Sequence, residues 1–240
     1  MYLENLVFDA RDPRTLGRFW EAALGTETLT DDAGGYETRL AVPDGPELDL
    51  CFQPVAQPAH GPRRLHLDLQ GGAEQEGVVE RLLALGATRA DIGQGDVPWV
   101  VLADPEGNAF CVMEERAAYD GRGPLAALPL WSADPERDRD FWADLSGWVP
   151  TDEGSVAALQ HPSGRGPLLE LVPEVEPKRQ STKNHLHLDI RLEPGDDDPE
   201  TVARAILDRG GQELPDNPDV AWRTFLDPSG NELCVLPSRG

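Results

Sequence analysis

Two short stretches of the chain set an imidazole two residues before a carboxylate. His66 precedes Asp68 in Leu65-His66-Leu67-Asp68, and His187 precedes Asp189 in Leu186-His187-Leu188-Asp189. In extended backbone, side chains alternate faces, so each pair presents a base and an acid to one side and its leucines to the other. The same parity groups Asp49 with Cys51, and Ala109 with Cys111 and Met113. It also groups Leu168 with Glu170, His185 with His187 and Asp189, and Glu232 with Cys234. Imidazole, thiolate and carboxylate together are donors for a borderline or soft divalent ion, and can leave a position open for water. Each residue also has a plainer reading. A histidine two residues from an aspartate is held by it, a cysteine in an apolar strand is a small buried hydrophobe, and the aspartates orient the histidines. Arg63, Arg64 and Lys183 flank the histidine strands, where they would meet an anionic ligand or solvate a loop.

These residues recur because the chain repeats itself. Phe19-Trp20 returns as Phe141-Trp142, the His-Asp stretch returns as described, and the run Asp104–Val112 returns as Asp227–Val235. The offsets are 122, 121 and 123 residues. Separated blocks in one order at a nearly constant offset mark a duplication. The junction is expected in the polar, Gly-rich stretch Ala117–Pro124, which divides the chain into 1–118 and 124–240.

Within each half, the elements that position the chemistry also come twice. Asp12-Pro13 reads as a helix N-cap followed by Pro in the first turn, and Gly25 as the C-terminal stop. Val78, Val79, Leu82, Leu83 and Leu85 form a second apolar helical face, stopped by Gly86. Asp134-Pro135 and Asp198-Pro199 open the matching helices of the second half. Arg64–Leu69 and Glu47–Phe52 alternate as strands, and Trp99–Leu102 and Ala109–Met113 are short apolar strands. Asp104-Pro105-Glu106-Gly107 and Asp227-Pro228-Ser229-Gly230 read as type I turns. Each quarter is therefore a strand, a helix and about three strands. Trp20, Trp142, Trp99 and Trp222 are expected in the helix–sheet core.

Composition narrows the function classes. The net charge of −23 (21 basic, 44 acidic residues) argues against a nucleic-acid partner, which needs clustered Lys and Arg. No apolar run reaches the length of a membrane span, and Met1–Asp12 has no signal-peptide pattern. Three cysteines are too few for a disulfide framework, which points to the cytoplasm. P-loop, dinucleotide and nucleophile-elbow motifs are missing, and the acidic run Glu193–Glu200 lacks EF-hand spacing.

Taken together, the βαβββ quarters, the Phe-Trp helix, the LHLD strand and the DPxGN turn resemble the vicinal-oxygen-chelate superfamily, in its glyoxalase-like branch that includes bleomycin-resistance-like and dioxygenase members. The resemblance covers nearly the whole chain. It implies an α+β fold of tandem glyoxalase-like domains, each made of two βαβββ modules in a curved mixed sheet around a cleft. It further implies metal-ligand places at four strand positions. The first falls on Asn5 and Ala127, the second on Asp49 and Glu170, the third on His66 and His187, and the fourth on Cys111 and Cys234. Taken half by half, the sets are Asp49/His66/Cys111 and Glu170/His187/Cys234, and the two clefts should differ. Two functions follow from the resemblance. One is binding of a small molecule in the cleft without a metal. The other is a lyase, isomerase or dioxygenase using zinc, iron, nickel or manganese on an incomplete site. A covalent pseudo-dimer or a homodimer is the expected assembly.

Overall fold

The computed structural model describes residues 1–57, 62–152, 156–179, 182–215, 217–218 and 220–239. Its elements come in four βαββ(β) modules. The first holds β1 (Tyr2–Ala10), α1 (Pro13–Leu24), β2 (Glu27–Asp32), β3 (Gly35–Ala41) and β4 (Glu47–Pro54). The second holds β5 (Asp68–Gly72), α2 (Gln75–Leu85), β6 (Thr88–Arg89), β7 (Val100–Ala103) and β8 (Ala109–Glu114). The third holds β9 (Leu125–Ser132), α3 (Pro135–Ser146), β10 (Val149–Thr151), β11 (Ala157–Gln160) and β12 (Leu168–Pro173). The fourth holds β13 (Leu186–Arg191), α4 (Pro199–Asp208), β14 (Gln212–Glu213), β15 (Arg223–Leu226) and β16 (Glu232–Leu236).

The helix boundaries follow the sequence signals. The Asp12 and Asp134 carboxylates each accept the backbone N–H three residues on, and Asp198 caps α4 in the same way. Gly25, Gly86 and Gly147 end their helices in the left-handed region. In α2 only Val79 and Leu82 are buried, so its apolar face is narrower than the sequence implies.

The Phe-Trp and DPxGN motifs recur together for a physical reason. The indole of Trp20 donates to Asp104 at 3.3 Å and that of Trp142 to Asp227 at 3.2 Å. Each aspartate also accepts backbone N–H groups of its own turn, Asn108 N to Asp104 and Asn231 N to Asp227. A buried tryptophan thus satisfies its N–H on a turn of the next module. Trp20 also meets Phe110 edge-on, 5.0 Å between ring centres, so modules one and two share a core. Burial raises the carboxyls of Asp104 and Asp227, the latter to about 6.

Modules of one half share a core, but they do not share a sheet. One eight-stranded sheet runs β14-β15-β16-β13-β1-β4-β3-β2, joining the first and fourth modules. The other runs β10-β11-β12-β9-β5-β8-β7-β6, joining the second and third. We call them the outer and inner sheets, after the order of their modules in the chain. Two curved mixed sheets are present, as the family pattern implies, yet each is completed across the duplication. The seam of the outer sheet is β1 against β13, antiparallel, with Leu6 opposite Leu188 and Val7 opposite His187. In the inner sheet the residue equivalent to Val7 is Pro129. It has no N–H to give to the ladder. There Leu65 makes only an isolated bridge to Leu130, and regular β5 starts at Asp68 rather than at Arg64.

The flanking charges are not loop solvation. Arg64 is 2% exposed and donates to Glu174, Asn231 and the Ser229 and Trp131 carbonyls. Arg63 donates to Asn108 and the Gly107 carbonyl, and Lys183 pairs with Asp9. The bonds of Arg64 tie the second, third and fourth modules, and that of Lys183 ties the start of the fourth to β1.

Candidate functional site

Sheet pairing decides which chemical groups meet. In the outer sheet, Asn5 lies beside Asp189 on one side and Asp49 on the other, and Asp189 lies beside Cys234. In the inner sheet, Asp68 lies between Ala127 and Cys111, with Leu168 beyond Ala127; Glu170 lies opposite Pro129, the place that Cys51 holds opposite Val7 in the outer sheet. The half-by-half sets are therefore corrected. Asp49 shares a face with His187 and Cys234, whereas Glu170 shares one with His66 and Cys111. Parity along a strand is local, but strand partners are chosen by the tertiary fold.

The outer cleft is open. A cavity of about 1050 Å³ lies over the concave face of the outer sheet. Asn5, His187, Asp189 and Cys234 line it, with Thr224, Trp222, Lys178 and Glu232 around them. His187 Nε2 stands 3.3 Å from Asp189 Oδ1 and 3.6 Å from Cys234 Sγ. Asn5 Nδ2 donates to Asp189 Oδ2 at 3.0 Å. Asn5 Oδ1, His187 Nδ1 and Asp189 Oδ1 are buried and make no hydrogen bond within the described residues. Burial opposes charge on His187, but its contacts with Asp189 and Cys234 prevail and lift the imidazole to about 10.

Both close partners of His187 converge on one ring nitrogen. A thiol–imidazole–carboxylate relay needs the thiol on one nitrogen and the carboxylate on the other. Donor atoms of His187, Asp189 and Cys234 lie within 4.8 Å of one another, a grouping that could hold a cation. Zinc held tetrahedrally at about 2.0 Å from nitrogen, about 2.1 Å from oxygen and about 2.3 Å from sulfur puts nitrogen and oxygen about 3.4 Å apart and nitrogen and sulfur about 3.5 Å apart. The separations of 3.3 and 3.6 Å match those edges. Asp49 is not part of this group. Its carboxylate is 1% exposed and receives Arg39 on both oxygens, at 2.7 and 2.8 Å. That carboxylate is already engaged across β3 and β4, and the carboxylate beside His187 is that of Asp189.

The inner cleft holds a copy of the cluster under a cover. His66, Asp68 and Cys111 offer atoms within 4.8 Å of one another, and His66 Nε2 is 3.2 Å from Asp68 Oδ1. Ala127 replaces Asn5, so Asp68 lacks the brace that Asp189 has. Over this face lies the segment joining the two halves. The 3₁₀ turn Ala117–Tyr119 places Tyr119 in one apolar cluster with Val101, Cys111, Met113, Ala126, Ala127 and Leu168. Tyr119 is 2% exposed, and its hydroxyl donates to Glu170 at 3.1 Å. The Arg116 guanidinium stands 5.5 Å from the rings of both Trp99 and Tyr119. Arg122, buried, anchors the segment to the Ala118 and Gly166 carbonyls. Burial and the Asp68 charge raise Glu170, and burial with the Asp68 contact raises the Cys111 thiol well above its ordinary range. The junction stretch is thus a folded plug rather than an exposed linker.

Three expectations change in detail. His185 does not line the outer cavity; it is buried, and burial with the charges of Arg63 and His66 pushes it down to about 3. Trp99 and Trp222 face the clefts, not the helix–sheet core where Trp20 and Trp142 lie. Arg39 and Tyr119, which decide the state of the two clefts, carry no repeat or motif signal in the sequence. All three cysteines are free, and no helix of the described residues is long and apolar enough to cross a membrane.

The comparisons with known proteins agree with this architecture. Glyoxalase I from Zea mays superposes with a TM-score of 0.66 at 18% identity, covering 98% of this chain and 92% of that one. A proposed dioxygenase from Bacillus subtilis superposes with a TM-score of 0.59 at 16% identity, covering 100% of this chain and 86% of the other. At such identities the likeness is one of fold. No curated protein matches the chain. The family model described as "Glyoxalase-like domain" matches twice, over residues 5–113 and 128–236. With both repeats matched and the four modules in place, the chain belongs to the glyoxalase-like domain family, as two tandem copies.

Proposed function

We propose that the protein binds a small molecule in the outer cleft, over a divalent ion held by His187, Asp189 and Cys234. The observation that carries this reading is the spacing of the three donor atoms, which fits a tetrahedral ion better than a hydrogen-bonded relay. The donor set supports zinc: once the ion displaces the proton that Asp189 and Cys234 favour on His187, an imidazole, a carboxylate and a thiolate balance a divalent charge in a buried place. An ion there supplies a Lewis acid for an oxygen of the ligand. The chain's own residues do the rest. Asn5 fixes the Asp189 carboxylate through Nδ2. Lys178 and Glu232, paired at 2.6 Å, keep opposite charges together on the wall. Burial lowers the Lys178 ammonium from its ordinary value, and the carboxylate partly restores it. The volume, about 1050 Å³, suits a ligand of drug-like size.

The test is zinc binding by chelator-treated, tag-free protein in titration calorimetry. The reading expects one tight equivalent, lost in His187→Ala and kept in His66→Ala. Retention of that equivalent in His187→Ala, or no tight equivalent in the unaltered protein, would refute it. The metal-free binding reading would then take its place.

A further inference from the structure

The duplication lets one cleft report on the other. The inner cleft is occupied by groups of this chain: a phenol ring on the sheet floor and a guanidinium on a tryptophan wall. The 123-residue offset carries Val101, Cys111 and Met113 onto Thr224, Cys234 and Leu236, and the 122-residue offset carries Ala127 onto Asn5. Every one of those four counterparts lines the open outer cavity. The cavity therefore lies over most of the floor on which Tyr119 rests in its sister; Asp49 and Cys51, in the places of Leu168 and Glu170, lie outside its lining. The wall corresponds as well, since Trp99 becomes Trp222, which is half-buried and faces the same cavity.

The floor of the outer cleft has become hungrier for hydrogen-bond donors. Under Tyr119 the hydroxyl is accepted by Glu170. In the outer ladder the place of Glu170 is taken by Cys51, which donates to Glu37, and Asp49, in the place of Leu168, is saturated by Arg39; Asn5, beside Asp49, carries a buried acceptor oxygen without a donor. Val101 and Ala127, apolar against the tyrosine, are Thr224 and Asn5 here.

We infer that the outer cleft takes a planar aromatic ligand bearing a hydroxyl: its ring fills the space that Tyr119 and the Arg116 guanidinium share in the inner cleft, with Trp222 as the wall it packs on and Asn5 Oδ1 as the acceptor of its hydroxyl. The inference rests on the reading that the outer cleft is the ligand site. Trp222 becomes the specificity-determining residue, because an aromatic face discriminates flat rings from puckered ones of equal size.

The probe is p-cresol, the side chain of Tyr119 as a free molecule, against 4-methylcyclohexanol, its saturated counterpart. Binding is followed by saturation-transfer NMR titration of the full chain, with zinc stoichiometry measured in parallel. The expected result is saturable binding of p-cresol, at least threefold tighter than that of the saturated alcohol. Trp222→Ala should weaken p-cresol by about three- to tenfold, Trp222→Phe should restore most of it, and neither should alter zinc binding. Asn5→Ala should lower the preference for p-cresol over toluene. One tight zinc with no p-cresol binding, or with equal binding of both probes unaffected by Trp222→Ala, would overturn the aromatic inference and leave the ion site standing. Loss of the zinc equivalent with p-cresol binding intact would instead overturn the ion and leave the aromatic cleft. A fold check by circular dichroism accompanies each variant; Trp222 lies outside the strands, so its removal leaves the sheet ladder complete.

Discussion

His187 and Asp49 look equivalent in the sequence and are not equivalent in space. Both are inward-facing polar residues at family ligand places, yet one joins a donor cluster and the other closes a salt bridge. Their substitutions should separate accordingly. His187→Ala removes a donor and leaves Asp189 Oδ1 buried with no near cation, so zinc binding should vanish and stability should fall by about 1–3 kcal/mol in urea unfolding. Asp49→Asn strips Arg39 of a carboxylate that is 1% exposed. Stability should fall by a similar about 1–3 kcal/mol, but the zinc equivalent should stay. A loss of zinc in Asp49→Asn would return Asp49 to the ligand set. Repetition and strand parity singled out His187 and gave Asp189 only as the group that orients it, while Cys234 entered through the family resemblance. The sequence could not show that Arg39 reaches across one strand to Asp49, because a salt bridge of that kind leaves no period in the chain.

At the scale of elements, the two sheets differ where one residue or one turn differs. Pro129 opposite His66 breaks a ladder that Val7 completes opposite His187, so the inner histidine sits on an irregular strand. The junction segment differs more. Its polarity and glycines read as a boundary, but Tyr119 within it is among the largest fully buried side chains. A single aromatic residue in a polar stretch is a weak signal in one sequence, and its burial depends on a sheet built from distant modules. Tyr119→Ala should remove a packed ring and a hydrogen bond to Glu170, costing about 3–5 kcal/mol. The variant's melting temperature should rise in millimolar p-cresol, which refills the space, more than in toluene. A Tyr119→Ala protein as stable as the original would mean that the plug does not pack as described.

At the scale of the whole molecule, the helices, turns and four-module order were readable, and the partnership of the modules was not. Nothing in the alternation of β1 tells whether β5 or β13 will lie beside it. The answer comes from packing: helices and aromatic rings bind the modules of one half back to back, which leaves the open edges of β1 and β5 to be completed by β13 and β9. We propose that 1–118 and 124–240 are the units of the duplication but not independent folds. Each fragment alone should expose two unpaired strand edges and run as an oligomer or aggregate in size-exclusion chromatography. Co-expressed, the two should recover a 1:1 complex. Two monomeric, cooperatively folding fragments would contradict the cross-paired sheets.

The central claim is that one cleft, completed across the duplication, centres on His187, Asp189 and Cys234. Crystals grown with zinc and measured at the zinc absorption edge test it most directly. The expected result is an anomalous peak bonded to His187 Nε2, Asp189 Oδ1 and Cys234 Sγ, with zinc–sulfur at about 2.3 Å, and none on Asp49. A peak on Asp49, or a fully substituted zinc elsewhere with those three atoms unmetallated, would contradict it.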